Sequence, residues 1–249
     1  MKTNDIPWFA TNGQLSAMQR WRIALAAVGR RLAARRRTAV VGQMPPVDAG
    51  ALDYLVPPRD SLSEAALAIA SRVQAPWLLQ HGLRTYAWAT LLGMTEGCRI
   101  DATTLYAASL LHDLGLTDFA AEPPSHCFAV RGARAAMRIA EASGAARRQA
   151  ESLAAAIAAH LDLTVAPELG VEARLLQAGA ALDVLGTRVG TIAPEQRKAV
   201  LARHPRLGMK SGLCRCLERE AIQAPDTRVA LYVRRFDFLA LIERAPIDD

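Results

Sequence analysis

The stretch of sequence that best indicates the fold is residues 101–115, which read DATTLYAASLLHDLG. Asp101 is a typical helix N-cap, and Gly115 is typical of the position just after a last helical turn. The residues between them are almost all apolar or small, and Ala and Leu favour helix. The spacing therefore predicts a buried helix over Ala102–Leu114, with a His-Asp doublet near its end.

Helical patterns continue on both sides of this stretch. Ser61 followed by Glu64 indicates a capping box, and Pro76 suits the first turn of a helix. Further helices are predicted over Ala65–Arg72, Trp77–Met94, Val130–Ser143, Ala146–Leu161, Val171–Leu185, Pro194–Arg203, Leu207–Glu220 and Thr227–Arg244. Because neither an alternating strand pattern nor an internal repeat is found, the sequence predicts an all-α protein, an irregular helical bundle.

The composition is that of one sizeable domain. Of the 249 residues, 51% are hydrophobic and 22% are charged, which provides a core and excludes wholesale disorder. Apolar runs stay well short of the roughly 18 uncharged residues that span a membrane. Four cysteines are too few for a disulfide framework in a chain of this length, so we expect a reduced, cytoplasmic protein.

The positive charge is concentrated near the N-terminus. Residues 1–50 contain eight basic and two acidic side chains, so they account for the whole formal net charge of +6. The remaining residues carry 22 of each sign, which leaves the main domain without a basic excess, and no nucleic-acid partner is expected. We assign residues 1–50 to a basic N-terminal helix and linker, and residues 51–249 to the helical domain.

The basic segment is itself predicted to be helical over Leu15–Arg37. One face of this helix carries four apolar residues, Trp21, Leu25, Val28 and Leu32. Such a helix suits an anionic membrane surface, so peripheral contact through residues 15–37 is one interpretation, and docking on its own domain is the other. The segment Gly42–Pro58 is rich in proline and indicates a linker.

Several polar residues stand inside strongly apolar helices, namely His81, His112, Asp113, His160 and Asp183. A buried imidazole or carboxylate costs free energy unless it has a partner. A backbone carbonyl can satisfy one such residue, but five of them in four helices favour a common explanation. Imidazole nitrogen and carboxylate oxygen bind zinc, iron, manganese and nickel. We therefore predict a site for one divalent transition metal, with zinc favoured.

The doublet restricts where this ion can lie. Adjacent side chains on a helix diverge by roughly 100°. His112 and Asp113 can therefore share one ion only in a groove between their helix and others. His81 and Asp183 are the residues that neighbouring helices would contribute.

The order His81, His112-Asp113, Asp183 resembles the HD-domain superfamily of metal-dependent hydrolases. Within that superfamily the chain is similar to the cyanamide hydratase-like branch. The motifs that carry the resemblance are PPRDS (57–61), WLLQHGLRTY (77–86), LLHDLGLT (110–117), FAVRGA (128–133), AIAAH (156–160) and DVLG (183–186). It covers about Pro57–Gly186. It implies an all-α fold of the HD-domain type, in which His81, His112, Asp113 and Asp183 are the metal ligands.

The chain departs from parts of the family pattern. Dinuclear members have two further histidines before the last Asp, for which His126 and His160 are the candidates here. Because His126 lies in a proline-containing loop, one metal ion is favoured. Many phosphohydrolases of the family also place Lys or Glu soon after the doublet, where this chain has Leu-Gly-Leu-Thr at 114–117. This difference favours a small neutral substrate.

Further roles follow from a bound ion that activates water. Asp113 and His160 are the candidate catalytic residues, because either side chain can move a proton. For His160 the alternative is a core histidine bonded to a backbone carbonyl. The candidate substrate-binding residues are Arg84, Thr117 and Phe128. Arg84 also suits a pair with a buried acid such as Asp113 or Asp118.

Two classes of function remain. The first is a metal-dependent hydrolase or hydratase acting on a small molecule, with a nitrile- or cyanamide-like substrate favoured over a nucleotide or other phosphoester. The second is a non-catalytic ligand sensor that keeps the same helices. The sequence favours the enzyme because the whole quartet of potential ligands is present.

Overall fold

The computed structural model describes residues 6–36 and 55–247, and every regular element in this part of the chain is helical. The predicted all-α fold is confirmed. The helices are α1 (Ala17–Arg36), α2 (Ser61–Val73), α3 (Pro76–Thr95), α4 (Ala102–Leu111), α5 (Phe128–Ala142), α6 (Arg147–Ala159), α7 (Gly170–Leu185), α8 (Pro194–Arg203), α9 (Met209–Gln223), α10 (Arg228–Arg235) and α11 (Phe238–Glu243). Short 3-10 turns occur at Leu114–Leu116, Asp118–Ala120, Pro167–Leu169 and Val189–Thr191.

Helix α3 is the centre of the bundle, since it packs against both α4 and α7. Two glycines allow these close approaches. A Cβ atom on Gly82 would lie 2.9 Å from the carbonyl oxygen of Ser109 in α4, and one on Gly179 would lie 2.6 Å from the carbonyl oxygen of Thr85 in α3. Such short contacts exclude larger residues. The glycines thereby bring together the three helices that carry the predicted metal ligands.

The N-terminal caps agree only in part with expectation. Asp101 caps α4 as predicted, since its carboxylate accepts the backbone N–H of Thr104 at 3.1 Å. The capping box predicted at Ser61 is wrong, because Asp60 is the cap of α2 and accepts the backbone N–H of Ser63 at 2.9 Å. Both Asp and Ser are good caps, so the sequence alone did not decide between neighbours.

Two predicted helices are interrupted. The helix expected over Ala102–Leu114 ends at Leu111, and the doublet lies in the turn that follows. The helix expected over Thr227–Arg244 is divided into α10 and α11 at Asp237, whose φ of 54° lies in the left-handed region. In both places a continuous apolar pattern conceals a change of chain direction.

Part of the predicted N-terminal segment packs on the bundle. Ile6 and Phe9 are buried in the hydrophobic core. In α1, by contrast, the predicted apolar face points to solvent, since Trp21 is 71% and Leu25 66% exposed.

The side chain of Leu32 and residues 42–54 of the predicted linker lie outside the described residues. No described helix is long and apolar enough to cross a bilayer. Peripheral membrane contact stays a prediction.

Candidate metal centre

Three predicted ligands converge at one buried point. His81 of α3, His112 and Asp113 each expose 5% or less of their surface. The Nε2 atoms of His81 and His112 are 3.1 Å apart, and Oδ2 of Asp113 lies 3.6 and 3.4 Å from them. Two ligand atoms that are each about 2.1 Å from a tetrahedral ion are separated by about 3.4 Å. The three side chains therefore fit one divalent cation.

The turn after α4 explains why adjacent residues can share this point. Asp113 has φ −101° and ψ 11°, so it is outside the regular helix and the 100° divergence does not apply. The following Gly115 packs directly on α5, where an added Cβ would lie only 2.0 Å from the carbonyl oxygen of Phe128. This contact fixes the turn against α5, and with it the direction of the Asp113 carboxylate.

The hydrogen bonds of three histidines leave the same ring nitrogen free. Nδ1 of His112 lies 2.8 Å from the carbonyl oxygen of Ser109, and Nδ1 of His160 lies 2.6 Å from that of Ile157. A carbonyl oxygen only accepts, so in both rings Nδ1 carries the proton. Nδ1 of His81 donates in the same way to a carboxylate, as described below. Each Nε2 then presents a lone pair, which is the form that binds metal.

Charge in this cluster also suits a cation. Burial would raise the pKa of Asp113, but the neighbouring His112, His81 and His160 outweigh burial and lower the pKa below its usual value. Burial, together with the charge of His81, lowers the pKa of His112 although Asp113 opposes the shift. The expected state at neutral pH is an ionised Asp113 carboxylate beside a neutral His112 imidazole, which are the protonation states of metal ligands.

Asp183 occupies a different position from the other three. Its Oδ2 accepts from Nδ1 of His81 at 2.7 Å, on the opposite side of the ring from the shared point. The same carboxylate accepts from Nε of Arg84 at 2.8 Å and from Nε1 of Trp88 at 2.8 Å. The sequence predicted a fourth metal ligand here. In the structure, the Asp183 oxygens accept hydrogen bonds from these three donors and are not part of the group formed by His81, His112 and Asp113, so a ligand role for Asp183 stays a prediction.

Arg84 is held by this carboxylate and by two carbonyl groups. Its Nη1 donates to the carbonyl oxygens of His204 and Pro205, at 3.1 and 2.9 Å. Burial would raise the pKa of Asp183, but Arg84 and His81 lower it well below its usual range. Arg84 was a candidate for substrate binding, with pairing to a buried acid as the alternative. The structure has the buried pair, with Asp183 rather than Asp113 or Asp118 as its acid.

His160 lies beside the three converging side chains. Its Nε2 is 3.7 Å from Oδ1 of Asp113, and its ring centroid is 5.0 Å from that of His112. Burial, followed by the charge of His112, lowers the pKa of His160 to about 3. Its Nδ1 bonds a backbone carbonyl, as the alternative interpretation expected, and its Nε2 faces Asp113, so a catalytic role stays a prediction.

Of the other candidates, Phe128 lies beside this point, whereas Thr117 and His126 do not. Thr117 stabilises its own turn, where its hydroxyl donates to the carbonyl oxygen of Leu114 at 2.7 Å. It is absent from the described lining of the cavity, whereas Phe128 is part of it. His126 lies 3.4 Å from Glu122 in the loop before α5, also away from the cavity. Among the described residues, only one group of three potential metal ligands is found, which agrees with the single ion predicted.

A cavity of about 230 Å³ opens above the converging side chains. The four polar residues of its floor are His81, His112, Asp113 and His160. Most of its remaining surface is apolar, and the C-terminal part of the chain contributes Leu213, Leu217, Tyr232, Phe236, Phe238 and Leu241. Sequence analysis missed these six, because an apolar residue that faces a cavity has the same helical spacing as one that faces the core.

Comparison with protein families agrees with this geometry. Residues 78–185 match the family model described as HD domain, and the match contains all the predicted metal ligands. It supports the resemblance to the HD-domain superfamily, whose members bind divalent metals and are generally metal-dependent hydrolases. No curated protein matches the chain.

Proposed function

We propose that this protein is a metal-dependent hydrolase or hydratase that adds water to a small neutral molecule, and that a nitrile- or cyanamide-like compound is its substrate. The observation that carries the proposal is the convergence of His81, His112 and Asp113 at the floor of an apolar cavity. The motifs shared with the cyanamide hydratase-like branch support the choice of substrate. A zinc ion suits two imidazoles and a carboxylate, and iron, manganese or nickel accept the same ligands.

Different residues would bind the metal ion, orient its ligands and transfer protons. A divalent ion at this point would lower the pKa of a water molecule towards neutrality and so supply a nucleophile. Asp113 helps to hold the ion, and Asp183 keeps the His81 ring in the orientation that binds it. His160 presents the lone pair of Nε2 within 3.7 Å of Asp113, so it can accept a proton from water and return it to the product.

The reaction balances without any further reagent. In nitrile hydration the oxygen of one water molecule bonds to the nitrile carbon, and both hydrogens of that water are present in the amide product. No oxidant, reductant or leaving group is needed. His160 is placed to move one of these protons from oxygen towards nitrogen, since it lines the cavity and its Nε2 lies 3.7 Å from Oδ1 of Asp113.

The charges around the cavity favour a neutral substrate over a phosphoester. Phosphate is usually held by arginine, lysine or helix N-termini. Within the described part of the chain, no arginine or lysine lines the cavity. Buried guanidinium groups near the cavity are paired: those of Arg84 and Arg206 face Asp183 behind the floor, and that of Arg228 faces Asp162.

The first test is the metal content of the protein purified without added metal. We expect close to one transition-metal ion per chain by elemental analysis, and its loss in Asp113→Ala. The matched control is Asp118→Ala, which removes an exposed carboxylate five residues away and leaves the metal in place. Full metal retention in Asp113→Ala would contradict the ligand assignment.

The second part of the test is turnover. The metal-loaded protein is incubated with nitriles, cyanamide and nucleotide monophosphates, and amide, urea or phosphate release is measured. We expect hydration of a nitrile-type compound and loss of that activity in Asp113→Ala. Phosphate release alone would favour a phosphohydrolase instead, and a metal-loaded protein that binds but converts none of these compounds would favour the ligand sensor.

A further inference from the structure

The upper part of the cavity is built by a region that lies outside the HD-domain match at residues 78–185. It consists of helices α9, α10 and α11 and the link between the last two, and its cavity-facing side chains are Leu213, Leu217, Tyr232, Phe236, Phe238 and Leu241. We call this surface the roof. The hydroxyl of Tyr232 donates to the carbonyl oxygen of Leu161 at 2.8 Å, so its polar atom is already engaged. The roof therefore offers apolar contacts to a bound molecule.

The walls of the cavity contribute few polar side chains, and one of them, Asp162, already has partners. Asp162 pairs with the buried Arg228 and accepts from Nε1 of Trp8 at 3.2 Å. Gln177 is the other polar side chain that the described walls contribute. A ligand in this cavity thus meets two kinds of surface, the polar metal-binding floor and the apolar roof.

The cavity is much larger than the simplest substrate of the proposed reaction. An apolar protein cavity of about 150 Å³ is large enough to hold benzene. The 230 Å³ here accommodates a group of that size together with a reacting group of two or three atoms at the floor. Cyanamide has only three non-hydrogen atoms, so it would leave most of the roof without a contact.

We propose that the roof formed by α9–α11 binds the apolar substituent of the substrate, and that this substituent is about the size of a benzene ring or a branched chain of four to six carbons. The substrate class is then a neutral nitrile or a related carbon–nitrogen compound with a bulky apolar group, rather than cyanamide itself. This inference rests on the proposed function for the nature of the reacting group. The binding of the apolar group itself depends only on the roof.

The experiment measures the binding of a homologous series to the metal-loaded full chain. The probes are acetonitrile, propionitrile, butyronitrile and benzonitrile, and the Kd of each is obtained by ligand-observed NMR titration. Burial of a methylene group is expected to tighten binding about fourfold. We therefore expect Kd to fall about fourfold with each added carbon, and benzonitrile to bind at least 50-fold more tightly than acetonitrile.

Two variants locate the binding to the roof. Phe238→Ala removes a half-buried ring from the cavity wall, and Leu241→Gln changes the 40% exposed rim with little risk to folding. Each is expected to weaken benzonitrile at least fivefold, to change acetonitrile less than twofold and to keep the metal. The matched control is Ile222→Ala in α9, which removes an apolar side chain that is 75% exposed and outside the cavity lining.

The outcomes separate this inference from the proposed function. Equal Kd values for acetonitrile and benzonitrile, or equal weakening of both by the roof variants, would overturn the roof as the binding region. Tight, roof-dependent binding of benzonitrile without conversion would leave the roof assigned and remove the nitrile reaction. Conversion of phenyl phosphate but not of benzonitrile would likewise retain the apolar class of substrate and replace the chemistry.

Discussion

The floor and the roof of the cavity are built in opposite ways. At the floor, three backbone or carboxylate acceptors hold Nδ1 of each histidine and leave its Nε2 free. The roof consists of apolar side chains from α9, α10 and α11 and from the link before α11. Polar networks tolerate few substitutions, whereas apolar surfaces accept changes of similar volume. The comparison indicates that the floor determines the reaction and the roof determines which molecules reach it.

The largest effect that distinguishes floor from roof is expected for His160→Gln, which should change turnover but not the binding of the apolar group. Glutamine is similar in size but cannot accept a proton, so we expect turnover to fall by about 100-fold or more. The metal content and the Kd of benzonitrile should remain within twofold of the wild type, because neither depends on this ring. Steady-state kinetics and elemental analysis provide both measurements.

The control is His126→Gln, which alters a histidine away from the cavity and should leave turnover unchanged. If His160→Gln kept wild-type turnover, the ring would be a structural member of the floor. If it lowered only the affinity for benzonitrile, the division between floor and roof would be wrong.

Asp183→Asn tests how the floor is organised. A carboxylate that orients a metal-binding histidine typically contributes 10- to 100-fold to metal affinity. We expect the metal Kd to rise by that factor while one ion still binds at saturation, as measured by competition with a chelating dye. Asp118→Asn serves as the control for loss of one negative charge.

A different result would restore the sequence-based prediction. Loss of the metal even at saturating concentration, with the helical circular dichroism intact, would identify Asp183 as a direct ligand. An unchanged metal affinity would exclude both roles.

His204→Gln tests the segment that joins floor and roof between α8 and α9. Burial, together with the charges of Arg203 and Arg84, lowers the pKa of His204 to about 4. Between pH 6.5 and 4 the unfolded chain binds a proton that the folded chain does not, so this residue makes the wild type less stable as the pH falls. Between pH 7 and pH 4.5, we therefore expect the free energy of unfolding to fall by roughly 1 kcal/mol less in His204→Gln than in the wild type, after allowance for partial solvent screening.

Urea unfolding gives the free energy of unfolding of wild type and variant at pH 7 and at pH 4.5. The loss of stability between the two pH values is then compared between the two proteins, because metal release affects both equally and cancels. A pH dependence in His204→Gln equal to that of the wild type would mean that His204 is protonated in the folded protein at pH 4.5.

The sequence indicated the floor well because buried polar residues are conspicuous in apolar helices. His81, the doublet and His160 stood out for this reason, and the structure brings them together. It did not indicate that Asp183 would lie behind His81, since helical spacing gives the face of a residue but not its partner. Arg84, three residues after His81, was a possible signal, because it lies on nearly the same face and needs a buried acid.

The roof was not predictable by the same reasoning. Leu213 and Leu217 are four residues apart and look like any core pair, so nothing in their spacing indicates an empty volume beside them. The break at Asp237 was hidden because its left-handed backbone is unusual for a residue other than glycine. The overall helical content was predictable because Ala and Leu dominate and strand-forming patterns are absent from the sequence.

The position of the roof late in the chain has a consequence for protein synthesis. The floor is complete once residue 183 has left the ribosome, whereas α9–α11 follow some 25 to 60 residues later. During that interval the nascent chain exposes the apolar interior above the metal ligands. We expect binding of a metal ion, or of a chaperone, to be easiest in this interval, before the last helices close over the histidines.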